Sequence, residues 1–359
     1  MARAKAAGLL VMGVLWACGA ADDAPVDGAG GPAPDGVLPA ENGAPGGTTS
    51  GDPSKENPDR QKPAPPSTFT CTGKTGAKGD RTLTLTVGGI QRTVLVHVPA
   101  NYDPNKGTSL VVGFHGYGGS AAQMRTQTKL DGASDAKSFI VAYAQGTGAV
   151  SNGFNGGDCC GQPAWRDPGT DDVGFAKEIV KSISSEYCVD PKRVYSAGFS
   201  NGGFLSYRLA CEAADMFAAV ASVSGVLGVP AETCKPSRPV PILHVHGTAD
   251  RTVPYQGGAA AGGLGALAGV TFRSVDETVT SFRTRWQCPA ASKSSYEKGD
   301  TKCVAWSGCQ ANIPLELCTV TDGGHQWPGG QATPTGGKLS TDLDATTRVV
   351  DFFAAHPMP

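Results

Sequence analysis

Three stretches of this chain carry residues that can act together on a substrate. The first is Gly198-Phe199-Ser200-Asn201-Gly202, which reads G-x-S-x-G. Before it runs Arg193-Val194-Tyr195-Ser196-Ala197, a β-branched and aromatic run that follows an Asp190-Pro191 turn; after it, Gly203 to Ala210 has helical spacing. Strand, sharp turn and helix are the setting that makes this pattern a nucleophile elbow. The serine there sits in a strained backbone, and the flanking glycines leave room for the tight turn. A serine hydroxyl is a weak nucleophile at neutral pH. It needs a base, and the base needs an orienting carboxylate. Asp250 and His325 fit by position. Asp250 lies just past the run Val240 to His246, and His325 just past Leu315 to Val320. If both runs are strands parallel to the elbow strand, their ends share its edge of the sheet, where open α/β sheets place their sites. The expected roles are Ser200 as nucleophile, His325 as base and then acid, and Asp250 as the group that orients the imidazole.

Other residues of these kinds compete for the same roles. Asp322 is close to His325 in sequence, but on the same strand end. His115 precedes the nucleophile, and His244 and His246 lie within a strand. That histidine pair suggests a metal, but no third ligand is near in sequence, so none is expected. His115-Gly116-Tyr117-Gly118-Gly119-Ser120 ends the apolar run Ser109 to Phe114. A glycine-rich loop there lets backbone N–H groups approach a developing oxyanion. The expected donors are the N–H of Asn201 and one near Tyr117. Trp165, Trp327 and Tyr117 are candidates to stack on an aromatic acyl group or a sugar, with loop packing as the alternative use of each.

The elements that must position these groups are legible in outline. Arg81–Val87 alternates strictly and Gln91–Val98 pairs back across Gly88-Gly89. Phe139–Ala144 and Phe217–Val223 read as buried strands. Val173, Ala176, Val180, Ile183 and Tyr187 recur at helical spacing, with Asp171 and Asp172 as caps at the start. Ser274-Val275-Asp276-Glu277 is a capping box before another helix, and a last helix covers about Asp342 to Ala355. Residues 257–270 are Gly/Ala-rich and read as a surface loop. Strands alternating with helices predict an α/β fold with a mostly parallel sheet covered on both faces.

The chain has 359 residues, with 30 basic against 32 acidic side chains. That balance argues against a nucleic-acid partner held by charge. Residues 1–18 have the form of an export signal: Arg3 and Lys5, then a short apolar run from Leu9 to Trp16, too short to span a membrane. Leu15-Trp16-Ala17-Cys18 resembles a bacterial lipobox, which implies lipidation of Cys18 and an anchor, on the outer membrane for instance. Cleavage near Ala20 and free secretion is the alternative. Residues 19–68 are rich in Ala, Asp, Gly and Pro and predict a disordered tether; residues 69–359 form the folded domain. Of 11 cysteines, those other than Cys18 are even in number, which in an exported chain predicts disulfides. Proximity alone suggests Cys309 with Cys318 and Cys288 with Cys303.

Taken together, Gly198-Phe199-Ser200-Asn201-Gly202-Gly203, His246-Gly247-Thr248-Ala249-Asp250 and Gly323-Gly324-His325-Gln326-Trp327-Pro328-Gly329 resemble the feruloyl esterase and poly(3-hydroxybutyrate) depolymerase family of secreted serine esterases. The resemblance covers about residues 70–355. The cysteines around His325 place it nearer the feruloyl esterase branch. It implies an α/β-hydrolase fold with disulfide-stapled loops, a Ser200–Asp250–His325 triad and no cofactor. The implied partner is a small or polymeric ester, and the implied form is a monomer. Feruloyl esters of plant cell-wall polysaccharide lead as substrates, with hydroxybutyrate polymer or oligomers second. A carbohydrate-binding surface lipoprotein on an inactive hydrolase fold is the reading from another class. A disulfide-rich structural lipoprotein would give no reason for Ser, Asp and His in this order.

Overall fold

In a computed structural model, residues 71–148, 151–159, 170–261 and 270–359 are described. The export signal, Cys18, the linker and Trp165 lie outside the described residues. Among the described residues no helix is long and apolar enough to cross a membrane.

The chain opens with β1 (Gly79–Val87) and β2 (Ile90–Val98), paired antiparallel across the glycine turn. β3 (Thr108–Phe114), β4 (Ile140–Ala144), β5 (Val189–Phe199), β6 (Ala219–Val223), β7 (Ile242–Gly247) and β12 (Leu315–Val320) then build a parallel centre in the order β4-β3-β5-β6-β7-β12. β1 and β2 extend one side of that centre. On the other side β11 (Thr301–Trp306) and β10 (Lys293–Lys298) add antiparallel strands, giving a 10-stranded sheet. A short ribbon of β8 (Gly258–Ala259) and β9 (Thr271–Phe272) flanks the Gly/Ala-rich stretch.

The central strands are largely buried in both registers because both faces are covered. Leu110, Val112, Phe114, Ile140 and Ala142 pack with α3 (Asp172–Glu186), α4 (Asn201–Glu212) and α5 (Val275–Arg285). Val111, Val141, Tyr143, Tyr195 and Ala197 pack with α1 (Ala121–Thr128), α2 (Leu130–Lys137) and α6 (Ala345–Ala355). The expected α/β architecture, parallel sheet and two helical layers are therefore present. α5 carries the full capping box: Ser274 Oγ accepts from the Glu277 N–H, and Glu277 accepts from that of Ser274.

Two expectations are corrected. Asp171 does cap α3, accepting from Gly174 N–H at 2.7 Å, but Asp172 turns inward. It is buried, pairs with Arg92 at 2.7 Å and accepts from the Asn155 N–H at 2.6 Å, so it joins β2, α3 and the loop before α3. Burial pushes the Asp172 carboxyl up, and Arg92 opposes that. The proximity pairing of cysteines also fails. The bonds between described residues include Cys303–Cys318 and Cys288–Cys309, together with Cys71–Cys188 and Cys211–Cys234. Cys303 and Cys318 face each other directly in the β11–β12 register, with Cα atoms 3.9 Å apart. Strand register, which sequence distance does not report, selects the partner.

Candidate active site

β5 delivers Ser200 and α4 leaves from it. Ser200 has φ 52° and ψ −119°, a region costly for any side chain but glycine. Its N–H is held by Val223 O at 2.8 Å, and its C=O accepts from Gly203 and Phe204 N–H. The glycines are sterically required. A Cβ on Gly198 would strike the Gly202 carbonyl, and one on Gly202 would strike that of Phe114 on β3. Ser200 stands at the N-cap of α4, where serine ordinarily bonds a backbone N–H, yet its hydroxyl makes no such bond. The elbow turns the hydroxyl away from the helix it precedes.

Asp250 and His325 arrive from neighbouring parallel strands, β7 and β12. The turns that follow these strands are bonded to each other: Thr248 N–H to Val320 O at 2.9 Å and Ala249 N–H to Gly323 O at 2.9 Å. His325 Nδ1 lies 2.7 Å from Asp250 Oδ2. The Asp250 side chain is fully buried, while that of His325 keeps 12% exposure, so the imidazole is the member of the pair that meets solvent. The His325 ring packs on Phe199, next to Ser200, at 4.9 Å between centroids. Asp322 does not compete: it is exposed, and its N–H is taken by Thr248 Oγ1 at 2.8 Å.

Asp250 accepts from Thr252 and Val253 N–H at Oδ1, both at 2.9 Å, and from His325 at Oδ2, with His246 Nε2 a further 3.4 Å away. Burial alone would raise its pKa. The charge of His325 and the hydrogen bonds from His246 and His325 outweigh that and hold the carboxyl well below the usual carboxylate range.

The loop after β3 forms the other wall. Gly116 lies against Phe199 and Ser200: a Cβ built on it would come within 3.3 Å of the Ser200 Cβ. The Gly118 N–H is taken by Asn152 O at 2.7 Å and that of Gly119 by Gly116 O at 3.0 Å. Among the described residues, the N–H groups of Gly116 and Tyr117 have no such partner, which suits the expected use of the loop near Tyr117. Asn201 is the first residue of α4, so its N–H is among those the helix leaves open. Its side chain is committed elsewhere, exchanging bonds with Phe154 N–H and C=O at 2.7 and 2.9 Å.

His115, set aside in the sequence as a candidate base, has a structural task here. Its Nδ1 bonds Gly116 O at 2.7 Å and its Nε2 accepts from Gly146 N–H at 2.9 Å, pinning the loop that faces Ser200. Its place directly before Gly116 was the available signal. Burial pushes its imidazole down to about 4, with the bond to Gly116 opposing and the charge of Arg92 assisting. Burial, then His246, also lowers His244 well below the ordinary range. Both rings stay uncharged in the folded protein where they would be protonated in the unfolded chain. Through these two rings the unfolded state binds more protons as pH falls below about 6.5, so their share of the stability is full above that pH and declines below it. His115 alone contributes about 3 kcal/mol to this decline by pH 4. The expected result is a lower urea midpoint at pH 5 than at pH 7.5 with an unchanged slope; a midpoint equal or higher at pH 5 would refute it.

A cleft of about 550 Å³ opens beside the elbow, lined by His115 to Gly119, by α1 residues including Met124 and Gln127, by Phe199, and by Gln331 to Pro334. Tyr117 lines it, as expected of a substrate contact. Trp327 does not. It is fully buried, packs with α6 and donates Nε1–H to Thr346 Oγ1 at 2.9 Å. The residue after His325 but one points into the core, and proximity to His325 in sequence gave the wrong side. The aromatic rings that line the cleft are Tyr117 and Phe199.

Residues 100–263 match the phospholipase/carboxylesterase family. Feruloyl esterase B of Piromyces equi is 33% identical over 238 residues, 65% of this chain and 42% of that protein. The putative esterase NocK of Nocardia uniformis is 33% identical over 261 residues, 68% of this chain and 73% of its own length. The probable feruloyl esterase C of Aspergillus clavatus is 30% identical over 267 residues, 74% and 84% of the two chains. In fold, the chain superposes on acetyl xylan esterase from Aspergillus awamori with a TM-score of 0.53 at 13% identity, covering 77% of this chain and 99% of that one. The chain belongs to the feruloyl-esterase-like family of α/β-hydrolase esterases, as its three motifs predicted. The matched part spans less than half of the Piromyces protein.

Proposed function

We propose that this protein hydrolyses carboxylic esters through an acyl-enzyme on Ser200, with feruloyl esters of plant cell-wall polysaccharide as its substrates. The observation that carries this is the His325–Asp250 hydrogen bond of 2.7 Å, held beside the strained elbow serine. Ser200 Oγ attacks the ester carbonyl carbon and His325 Nε2 takes the hydroxyl proton. The carbonyl oxygen becomes an oxyanion between the Asn201 N–H and that of the loop at Tyr117. The intermediate collapses, the C–O bond to the alcohol breaks, and His325 returns the proton to the leaving oxygen. Water then attacks the acyl-enzyme by the same route and regenerates Ser200. Asp250 keeps the imidazole proton on Nδ1, so that Nε2 is the acceptor.

The names of the Piromyces and Aspergillus relatives support the feruloyl reading. So does a cleft whose wall offers Phe199 and Tyr117 to an aromatic acyl group. The paired cysteines and the N-terminal pattern support a place outside the cytoplasm, with residues 19–68 as the tether of a monomer anchored through Cys18. The test is side-by-side hydrolysis of methyl ferulate and a hydroxybutyrate trimer by the purified protein. A preference for ferulate of at least about tenfold in kcat/KM is expected, since one well-fitted aromatic group contributes that much. Preference for the trimer would replace the feruloyl substrate with a polyester. Hydrolysis of neither, with Ser200 still labelled by a fluorophosphonate, would keep the mechanism and discard both substrates. No labelling would favour a binding protein.

A further inference from the structure

Behind Asp250 lies a buried row of polar rings that the proposed chemistry does not use. Tyr207 on α4 and His244 and His246 on β7 are all buried. Tyr207 Oη lies 2.6 Å from His244 Nδ1, His244 Nε2 lies 3.0 Å from His246 Nδ1, and His246 Nε2 lies 2.8 Å from Val253 O. The same Nε2 is 3.4 Å from Asp250 Oδ2, the oxygen that holds His325. The two imidazoles are nearly coplanar, at 7°, with centroids 5.2 Å apart; this suits an in-line bond between their edges.

The partners at the far end assign the direction of every bond. Val253 O and the Asp250 carboxylate only accept, so His246 carries its proton on Nε2. Its Nδ1 then accepts, which puts the His244 proton on Nε2. His244 Nδ1 accepts in turn, and Tyr207 donates. All four ring nitrogens are used, and the dipoles of the row point one way, towards Asp250. Its last N–H bonds Val253 O at 2.8 Å, with Asp250 Oδ2 as a second, longer contact at 3.4 Å. Val253 N–H in turn donates to Asp250 Oδ1 at 2.9 Å. His246 therefore braces both the carboxylate and the turn that carries it.

We propose that His246, backed by His244 and Tyr207, is a positioning residue for the reaction: its Nε2–H fixes Asp250 and spreads the carboxylate's negative charge away from His325. This rests on the assignment of Ser200, His325 and Asp250 made above. Among the described residues, the other titratable groups next to the row are Tyr255, whose ring meets His246 edge-on at 5.8 Å, and, across Asp250, His325. Without the His246 donor, more negative charge stays on Oδ2. The His325 imidazolium is then favoured, and the acid limb of the kcat/KM profile moves to higher pH. Removing a hydrogen bond to a charged group costs roughly tenfold in rate.

Two substitutions of similar size and polarity separate this from mere packing. In His246→Asn the amide sits where Nδ1 was and reaches His244 but not Asp250. In His246→Gln the amide reaches the Nε2 position and restores a donor to Asp250 and Val253 O. Profiles are normalised to active sites counted with a fluorophosphonate, so misfolded protein drops out. His246→Asn is expected to lose roughly tenfold in kcat with KM nearly unchanged, and its acid limb to rise by roughly half a pH unit or more. His246→Gln is expected to recover most of the rate, with the acid limb at the parent position. Equal profiles for the two variants, or Asn closer to the parent than Gln, would overturn the proposal. If neither yields titratable sites, Tyr207→Phe decides: it removes only the first donor, and an acid limb that stays at the parent position counts against the row. Asp250→Asn, assayed alongside, must be far more damaging than either His246 variant. If it is not, the assignment of Asp250 has failed rather than the role of His246.

Discussion

Replacing Ser200 with alanine is expected to lower kcat by about 10⁵–10⁶-fold, leaving only what binding and the oxyanion donors supply. Folding should be untouched. The Ser200 hydroxyl makes no cap bond to α4, so its loss orphans no backbone group. The N–H and C=O of residue 200 keep their bonds to Val223, Gly203 and Phe204 whatever the side chain. The left-handed φ of 52° is as costly for alanine as for serine, so the strain cancels in the comparison. A thermal midpoint within about 2 °C of the parent is expected, the ordinary range for a side chain that carries no named stabilising contact. Ester hydrolysis and melting are measured on the same preparation. Activity within tenfold of the parent, from protein free of contaminating esterase, would refute Ser200 as the nucleophile. Lost activity together with a lost melting transition would mean that the hydroxyl supports the fold.

The parts of the molecule that were legible in the sequence are those whose local pattern and tertiary setting agree. β3 and β4 are apolar runs because both faces of the sheet are covered. The elbow declares itself through glycines that steric contact demands. Asp250 and His325 were placed by chain order and strand ends, and they meet. α1 and α2 left little trace: α1 buries only Ala121, Met124 and Thr128, and α2 only Leu130 and Ser134, too few apolar positions for a stripe. They are separated by Lys129 in a left-handed conformation, a break that no Gly or Pro marks. β10 has no buried residue, since it is the sheet's edge, and its sequence KSSYEK reads as a loop. The failures at the site share a different cause. Trp327, Asp172 and the cysteine pairs each depend on which way a side chain turns or which strand position it opposes. Such facts are set by packing across the chain, not by near neighbours. The row from Tyr207 to His246 was out of reach for the same reason, because one end comes from α4 and the other from β7.

Asp250→Asn is expected to be nearly as damaging as Ser200→Ala, and for a reason that concerns one proton. The carboxylate takes donors on both oxygens: Thr252 and Val253 N–H on one, His325 on the other, with the His246 N–H directed to that same side. An amide has a single oxygen. Turned to the two backbone N–H groups, it presents its NH₂ to His325 and forces Nδ1 to accept. The imidazole proton then resides on Nε2, where it cannot take the serine proton. Turned the other way, the NH₂ is driven against two backbone donors in a fully buried site, which costs more. The first orientation wins, and kcat falls about 10⁴-fold, the size of effect known for a triad held in the wrong tautomer. KM should change little, because Asp250 is sealed from the cleft and touches no substrate. Labelling of Ser200 by a fluorophosphonate should slow in parallel, since it needs the same base. The matching control is Asp322→Asn, an exposed carboxylate near His325 in sequence, which is expected to keep activity within about twofold. If Asp322→Asn proves the more damaging of the two, or Asp250→Asn retains a tenth of the parent rate, His325 takes its orientation from somewhere other than the hydrogen bond at 2.7 Å.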